Sequence, residues 1–364
     1  MKISDLPMPL LCINSSGGTD GHGTLQSVNL ITGVRNVVSD FGNPNQGPRT
    51  NNPTAGTWLP ANVLKKIPES VLITTANGGT GNKPTLSLVH PETGQRRILS
   101  DWGNPTQGTS ARLPISAVTL PAIAGARDSG AALVLAYAND GDPDEMILSI
   151  NAWGHRSLLT HIGHDALQGP WKPTAMTYLP ASTEDPDSLV VAGMYLEEDN
   201  SAVLVFVDPD DGSISPLSYF ANPDQGWNPP PTGDNCVPAV LSLTVSSEPA
   251  VYALVSKITA PNSPDTPEPY GFIIRVDPST GQRQVVSNLT DRTQGPLSTK
   301  PTALTWLPYD PNSLALCDRV TGVDQGGAIF LVNPSTGERT PLSNLGHEHQ
   351  GPAGVNPSGL LMTQ

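Results

Sequence analysis

A Gln-Gly pair returns through this chain at Gln46, Gln107, Gln168, Gln225, Gln294 and Gln350, at intervals of 56 to 69 residues. The step that leaves the C-terminus and re-enters at the N-terminus is also one period, because 14 residues follow Gln350 and 46 lead up to Gln46. A linear solenoid would need distinct capping repeats at its two ends. Here the ends together make up one more unit, and repetition of this kind constrains the architecture before any local propensity does.

Each unit holds four strand-like segments of four to eight residues, rich in β-branched side chains and bounded by Gly, Pro and Asn. The first (A) follows a proline, as in Pro53–Pro60, Pro173–Pro180 and Pro301–Pro308. The second (B) is a short apolar run such as Val71–Thr75. The third (C) alternates, as in Phe272–Val276, and the fourth (D) follows a turn, as in Arg283–Ser287. That turn reads Asp277-Pro278-Ser279-Thr280-Gly281, with variants at His90–Gly94 and Asn333–Gly337. Proline presets φ for a type I turn, and glycine takes the positive φ that starts the next strand. The last A strand, Pro357–Thr363, ends the chain, while the matching B, C and D segments (Pro9–Asn14, Thr24–Asn29 and Val34–Asp40) begin it. One four-stranded sheet shared by both termini is how a ring of sheets closes. The expected fold is a single all-β domain over residues 1–364, a six-bladed propeller with three N-terminal strands and one C-terminal strand in the closing blade.

The repeat resembles the six-bladed propellers of NHL-repeat and SMP-30-type proteins. The run Val-Asp-Pro-x-Thr-Gly-x-Arg, then Leu-Ser-Asp/Asn and Gln-Gly-Pro, resembles more narrowly a group of bacterial repeat proteins of largely unknown function. The resemblance spans the whole chain and implies the fold; activity does not follow from fold. SMP-30-type enzymes hold a divalent cation with carboxylates and asparagines around the propeller axis. The positions before each A strand here are Asn52, Leu113, Lys172, Val237, Lys300 and Asn356, with Arg112, Trp171 and Cys236 one step earlier. No acid stands among them, so metal-dependent lactonase chemistry is not expected.

The net charge of −14 argues against nucleic acid and anionic lipid, both of which need a cationic footprint. No apolar run reaches the roughly 18 residues of a membrane-spanning helix, and Met1–Gly18 does not read as a secretory signal. The composition leans towards an exported or cell-surface bacterial protein. Three cysteines, Cys12, Cys236 and Cys317, make no disulfide framework. Cys12 and Cys317 read as matching small hydrophobes in strands B of neighbouring blades.

The strand B–C loops and the D–A crossovers share one face, and function is expected there, on loops that the repeats do not share. Candidate ligand residues are Asn52, Arg112, Trp171, Lys172, Trp227, Lys300 and Asn356: the cations for an anion at the channel mouth, the two indoles for stacking on a sugar. His347 and His349 lie on one side of an extended segment and, with His22 beside Asp20, compose a candidate copper or zinc site. No cofactor is otherwise expected. Trp58, Tyr178 and Trp306 recur at one strand A position and read as packing residues; Phe41, Trp102 and Phe220 read as staples under the crossover. The Gln-Gly pair reads as structural, the amide serving crossover backbone and the glycine supplying a special φ. No nucleophile elbow or phosphate loop is present. The expected function is a monomeric binding module for a small-molecule, carbohydrate or protein ligand. An enzyme acting on a small anionic substrate, or through the histidines, is the alternative, and a structural surface repeat the third reading.

Overall fold

The computed structural model describes residues 9–61, 68–120, 132–137, 145–162, 171–181, 186–195, 201–227, 236–247, 250–259, 271–308 and 313–362. It contains six four-stranded sheets. The first comprises β1 (Leu10–Ser16), β2 (Thr24–Val28) and β3 (Arg35–Asp40), and the second β4 (Asn51–Leu59), β5 (Ser70–Asn77), β6 (Thr85–Val89) and β7 (Arg96–Asp101). The third is β8 (Leu113–Thr119), β9 (Ala132–Tyr137), β10 (Glu145–Ile150) and β11 (Arg156–Ile162); the fourth is β12 (Trp171–Leu179), β13 (Ser188–Tyr195), β14 (Ala202–Val207) and β15 (Ile214–Tyr219). The fifth is β16 (Cys236–Val245), β17 (Val251–Thr259), β18 (Gly271–Val276) and β19 (Arg283–Asn288). The sixth is β20 (Pro301–Trp306), β21 (Leu314–Asp318), β22 (Ala328–Val332) and β23 (Arg339–Asn344). The last strand, β24 (Val355–Met362), pairs antiparallel with β1 and completes the first sheet in the order β24-β1-β2-β3. The fold is the all-β six-bladed propeller expected from the repeats, four antiparallel strands to a blade.

The chain divides into two compact units, one of Met1–His161, Gly322–Ile329 and Leu342–Gln364, the other of Ile162–Thr321 and Phe330–Pro341. In the first unit, Leu11, Ile13, Phe41, Trp58 and Ile73 form one buried cluster, and Leu72, Leu86, Trp102, Val134 and Leu148 another. In the second, Val190, Leu204, Phe220, Leu254 and Ile274 are buried. Middle strands such as Ser70–Asn77 are buried along most of their length, which is why they read as continuous apolar runs rather than as alternating strands.

The repeated motif is a latch between consecutive blades. Two residues after the turn glycine, five of the six repeats carry an arginine: Arg35, Arg96, Arg156, Arg283 and Arg339, each 6 % exposed or less. Arg96 donates to Ser39 Oγ (2.7 Å) and to the carbonyls of Asp40 (2.7 Å), Asn43 (2.9 Å) and Pro48 (3.4 Å) in the preceding crossover. Its guanidinium carbon lies 5.3 Å from the Phe41 ring centroid. Arg156 binds Ser100, Asp101, Asn104 and Thr109 likewise and lies over Trp102. Arg283 repeats the pattern on Ser218, Tyr219, Asn222 and Trp227, over Phe220. In the closing blade Arg35 reaches Ser343 and the carbonyls of Asn344, His347 and Pro352. Burial pushes the guanidinium of Arg283 down to about 10, which leaves it charged at neutral pH and held by carbonyl dipoles. The fourth repeat has Ile214 at this position.

The Gln-Gly pair serves the same junction. Gln46 Oε1 accepts from the Asp40 N–H at 2.8 Å and its amide donates to the Val38 carbonyl at 3.2 Å; Gln107 and Gln225 do the same. Val38 is the bulged residue of β3, where the ladder with β2 slips and leaves backbone groups for a side chain to satisfy. Gly47 has φ 122°, and a Cβ there would overlap the Arg96 carbonyl of the next blade. The innermost strands are tied as well: Thr54 Oγ1 donates to the Pro114 carbonyl (3.2 Å), Ser358 Oγ to Pro53 (3.0 Å) and Thr174 Oγ1 to Val240 (2.5 Å).

The register corrects one expectation. Asn14 faces Pro357 and Asp318 faces Pro301, so Cys317 matches Ile13 rather than Cys12. A shift of one residue turns a strand side chain to the opposite face. Both cysteines are buried and free. The side chain of Cys236 lies outside the described residues, as do His164 and Gln168.

Candidate binding faces

Three loops of the first unit share one construction. Residues 17–23, 78–83 and 322–327 each make a short turn with exposed residues at its tip. Asp20 (φ 55°), Asn82 (φ 60°) and Asp324 (φ 53°) lie in the left-handed region there, where Asn and Asp are the best tolerated non-glycine residues. Each loop is clamped by the residue ending the fourth strand of its own sheet. Asp40 accepts from the Thr19 N–H (3.0 Å) and hydroxyl (2.6 Å). Asp101 accepts identically from Thr80, and Asn344 Oδ1 accepts from the Val323 N–H at 3.1 Å. Burial by itself would raise the Asp40 carboxyl, but the Thr19 hydroxyl and N–H, the Gly42 N–H and Arg96 hold it below its ordinary value. Asp101 is lowered in the same way.

Two crossovers fill the spaces between these loops. His22 Nδ1 lies 2.9 Å from the Thr50 carbonyl, Asn52 N–H donates to the His22 carbonyl at 3.3 Å, and Arg49 meets Asp20 at 3.5 Å. Gly78 of the second loop packs on the same Thr50. On the other side, Ser16 and Gly17 adjoin Val355, while Gly326 lies against Gly346. Loops 322–327, 17–23 and 78–83 thus stand side by side, and Asn356 and Asn52 are the second residues of β24 and β4, the strands into which the two crossovers lead.

Both asparagines hold a left-handed backbone directly before a proline, Asn52 with φ 55° and Asn356 with φ 50°. Asn52 is exposed. Asn356 donates to Ser16 Oγ at 2.7 Å, and its carbonyl accepts from Ser15 Oγ at 3.0 Å. Among the described residues Leu113, Lys172, Val237 and Lys300, at the same place in their repeats, do not share this φ. Arg112 is exposed, its N–H bonded to the Tyr137 carbonyl at 2.9 Å.

The three expected metal ligands are not assembled. His347 and His349 are neighbours, with ring centroids 5.3 Å apart. His22 is engaged by Thr50, and among the described residues no group of three or more His, Cys, Asp or Glu is placed to hold a metal ion. The alternating His347-x-His349 spacing arises where other repeats carry an Asn or Asp that accepts from the crossover backbone, as Asn43 and Asp291 do. His347 makes no such bond, and its Nδ1 is enclosed without a partner.

In the second unit the expected stacking platforms are occupied by the protein itself. Trp171 is 3 % exposed and its ring edge covers Gly193. Trp227 packs on Phe272 with centroids 4.8 Å apart and gives its carbonyl to Arg283. Lys172 lies on β12 opposite Met194. Lys300 is exposed, with its N–H on Asp318 Oδ2 at 2.8 Å and its carbonyl accepting from the Arg319 N–H at 2.9 Å. Sequence reasoning gave no role to the latch arginines, although Gly-x-Arg recurs in five repeats.

No protein-family model matches the chain, and no curated protein matches it in sequence. Solved structures share its fold. A candidate 6-phosphogluconolactonase from Bacteroides uniformis is 14 % identical with a TM-score of 0.51, the match covering 98 % of this chain and 99 % of that one. An α-L-arabinanase from Penicillium chrysogenum, solved with arabinobiose, is 13 % identical with a TM-score of 0.53, covering 84 % of this chain and 83 % of its own. The α-L-arabinofuranosidase Arb93A from Fusarium graminearum, solved with an iminosugar inhibitor, is 13 % identical with a TM-score of 0.52, covering 82 % and 83 %. At these identities the likeness is one of fold.

Proposed function

We propose that the chain is a binding module whose ligand docks on the loop face of the first unit, across Asn52, Asn356 and the tips of loops 17–23, 78–83 and 322–327. The observation that carries this reading is the pair of left-handed asparagines at Asn52 and Asn356. A left-handed non-glycine residue costs about 1–2 kcal/mol, and strain of this kind concentrates at ligand clamps. Loops held by side-chain clamps, from Asp40 and Asp101 to threonines and from Asn344 to the Val323 N–H, lower the ordering cost of binding, and amides beside the Asp20–Arg49 pair suit a hydroxylated ligand. A small carbohydrate or polyol is the class we favour. The likeness to NHL-repeat and SMP-30-type proteins lies in the blade pattern, and we carry no metal site over from it.

A glycan array and a panel of small acids, with arabinobiose included, test the reading. The informative variant is Asn52→Gly with Asn356→Gly, because glycine keeps the φ and removes both amides. A carbohydrate that binds the native chain and is lost in the double variant, with unchanged melting, supports the reading. A ligand that binds both proteins equally, or turnover of a lactone or glycoside by the double variant at the native rate, overturns it.

A further inference from the structure

We infer that His22 is the hydrogen-bond acceptor of the asparagine face and receives a hydroxyl of the docked carbohydrate or polyol at its Nε2; this rests on the reading of that face as the binding surface. The Thr50 carbonyl lies 2.9 Å from His22 Nδ1, and a carbonyl oxygen can only accept, so Nδ1 carries the proton. A neutral imidazole has one N–H and one lone pair, and the bond made by one nitrogen fixes the state of the other. The lone pair is thereby placed on Nε2. Among the described residues Nε2 has no hydrogen-bond partner and is not enclosed. The residue is half-buried, so the ring is held on one side and offers an acceptor to solvent on the other.

The frame around the imidazole is fixed. The His22 N–H donates to the Thr19 carbonyl at 3.2 Å, and the His22 carbonyl accepts from the Asn52 N–H at 3.3 Å. Thr50 is buried, its N–H donates to the Phe41 carbonyl at 3.3 Å, and Gly78 packs against it. The carbonyl that orients the ring is therefore itself immobilised, and an acceptor already in place costs little ordering when a ligand arrives. Arg49 and Asp20 pair at 3.5 Å in the same loop and crossover, and the Asn52 side chain is exposed beside them. An amide both donates and accepts, whereas this imidazole nitrogen only accepts. The combination suits neighbouring hydroxyls, one donating to Nε2 and the next exchanging bonds with the amide. Loop construction does not demand the imidazole: the two other loops built this way carry Lys83 and Gly326 after the turn where the first carries His22.

The tautomer is read without a ligand. Imidazole nitrogen NMR spectra of the full chain in mildly alkaline buffer should show His22 with its proton on Nδ1. His90 is the internal contrast, with its proton expected on Nε2, because its Nδ1 accepts from the Glu92 N–H at 3.2 Å. The ligand contact is read by calorimetric titration of arabinobiose, and of any carbohydrate retained on the glycan array, into the native, His22→Asn and His22→Gln chains. An asparagine amide reaches the place of Nδ1, so it keeps the bond to Thr50 and lacks Nε2; a glutamine amide reaches the place of Nε2. Expected in His22→Asn is a native melting temperature with binding weakened about tenfold, the loss of one hydrogen bond. His22→Gln should lose less. A proton on Nε2 of His22 overturns the inference. So does a carbohydrate that is lost in the Asn52→Gly, Asn356→Gly double variant but held by His22→Asn as tightly as by the native chain; both results leave the asparagine face standing. If no carbohydrate binds, or if one binds all the variants alike, the face fails and the role of His22 fails with it.

Discussion

Arg96 joins two blades with one side chain. It carries four donated bonds into the crossover before it and a ring contact with Phe41, so removing it strands a hydroxyl and several carbonyls in a buried place. Each orphaned group costs about 1–3 kcal/mol. Arg96→Lys is therefore expected to lose about 3 kcal/mol, since an ammonium has three donors and no planar fork. An unchanged midpoint in a denaturant titration would remove the latch. Backbone conformation is the other lever at this scale. Asn52→Ala should cost about 1 kcal/mol more than Asn52→Gly, because alanine pays the left-handed penalty at φ 55°. Equal melting of the two variants would mean that the residue relaxes without strain.

The short clamped loops are the elements in which charge matters. Asp40 and Asp101 sit below their ordinary value of 3.8 in the folded chain. A depressed carboxyl contributes stability that is fully present above the unfolded value and is lost as pH falls through the folded one. Hydrogen exchange at the Thr19 and Thr80 amides should therefore speed up as pH drops below about 3.8, beyond the intrinsic pH dependence of exchange. The third loop supplies its own control: Val323 is held by Asn344, an amide that does not titrate, and its exchange should show no such excess. Identical acid responses at all three loops would assign the loosening to something other than the clamps. The clamp was legible in hindsight, because Asp40-Phe41-Gly42, Asp101-Trp102-Gly103 and Asn344-Leu345-Gly346 share an Asp/Asn-x-Gly run. At each glycine a Cβ would strike the carbonyl of the loop's Thr19, Thr80 or Val323. The fifth repeat has Thr290 there instead.

At the scale of the molecule, closure rests on β24. Its pairing with β1 runs from Leu10 opposite Met362 to Ser16 opposite Val355, and it buries Leu360 and Leu361. Deleting residues 355–364 should open the first sheet, expose the β1 backbone to exchange and lower the melting temperature by several degrees; melting at the native temperature would refute the closure. This much was legible from the sequence. Repeat spacing, the proline before each first strand, the turn glycines and the termini that complete one blade are local or periodic signals, and steric limits on the backbone convert them into strands and turns with few alternatives. The Gln-Gly pair could be read as structural for the same reason. The sites were less legible, because they depend on which side chains meet across elements distant in sequence. Nothing in Gly-x-Arg says that the guanidinium is buried under the preceding crossover. Nothing around Trp171 says that its indole is already covered, or around His22 that Thr50 has claimed its Nδ1. The sequence by itself determined how many blades there are and how they close, since periodicity and backbone sterics act along the chain. Tertiary structure decided which polar groups the blades spend on holding each other and which remain exposed, since that depends on contacts the chain makes only when folded.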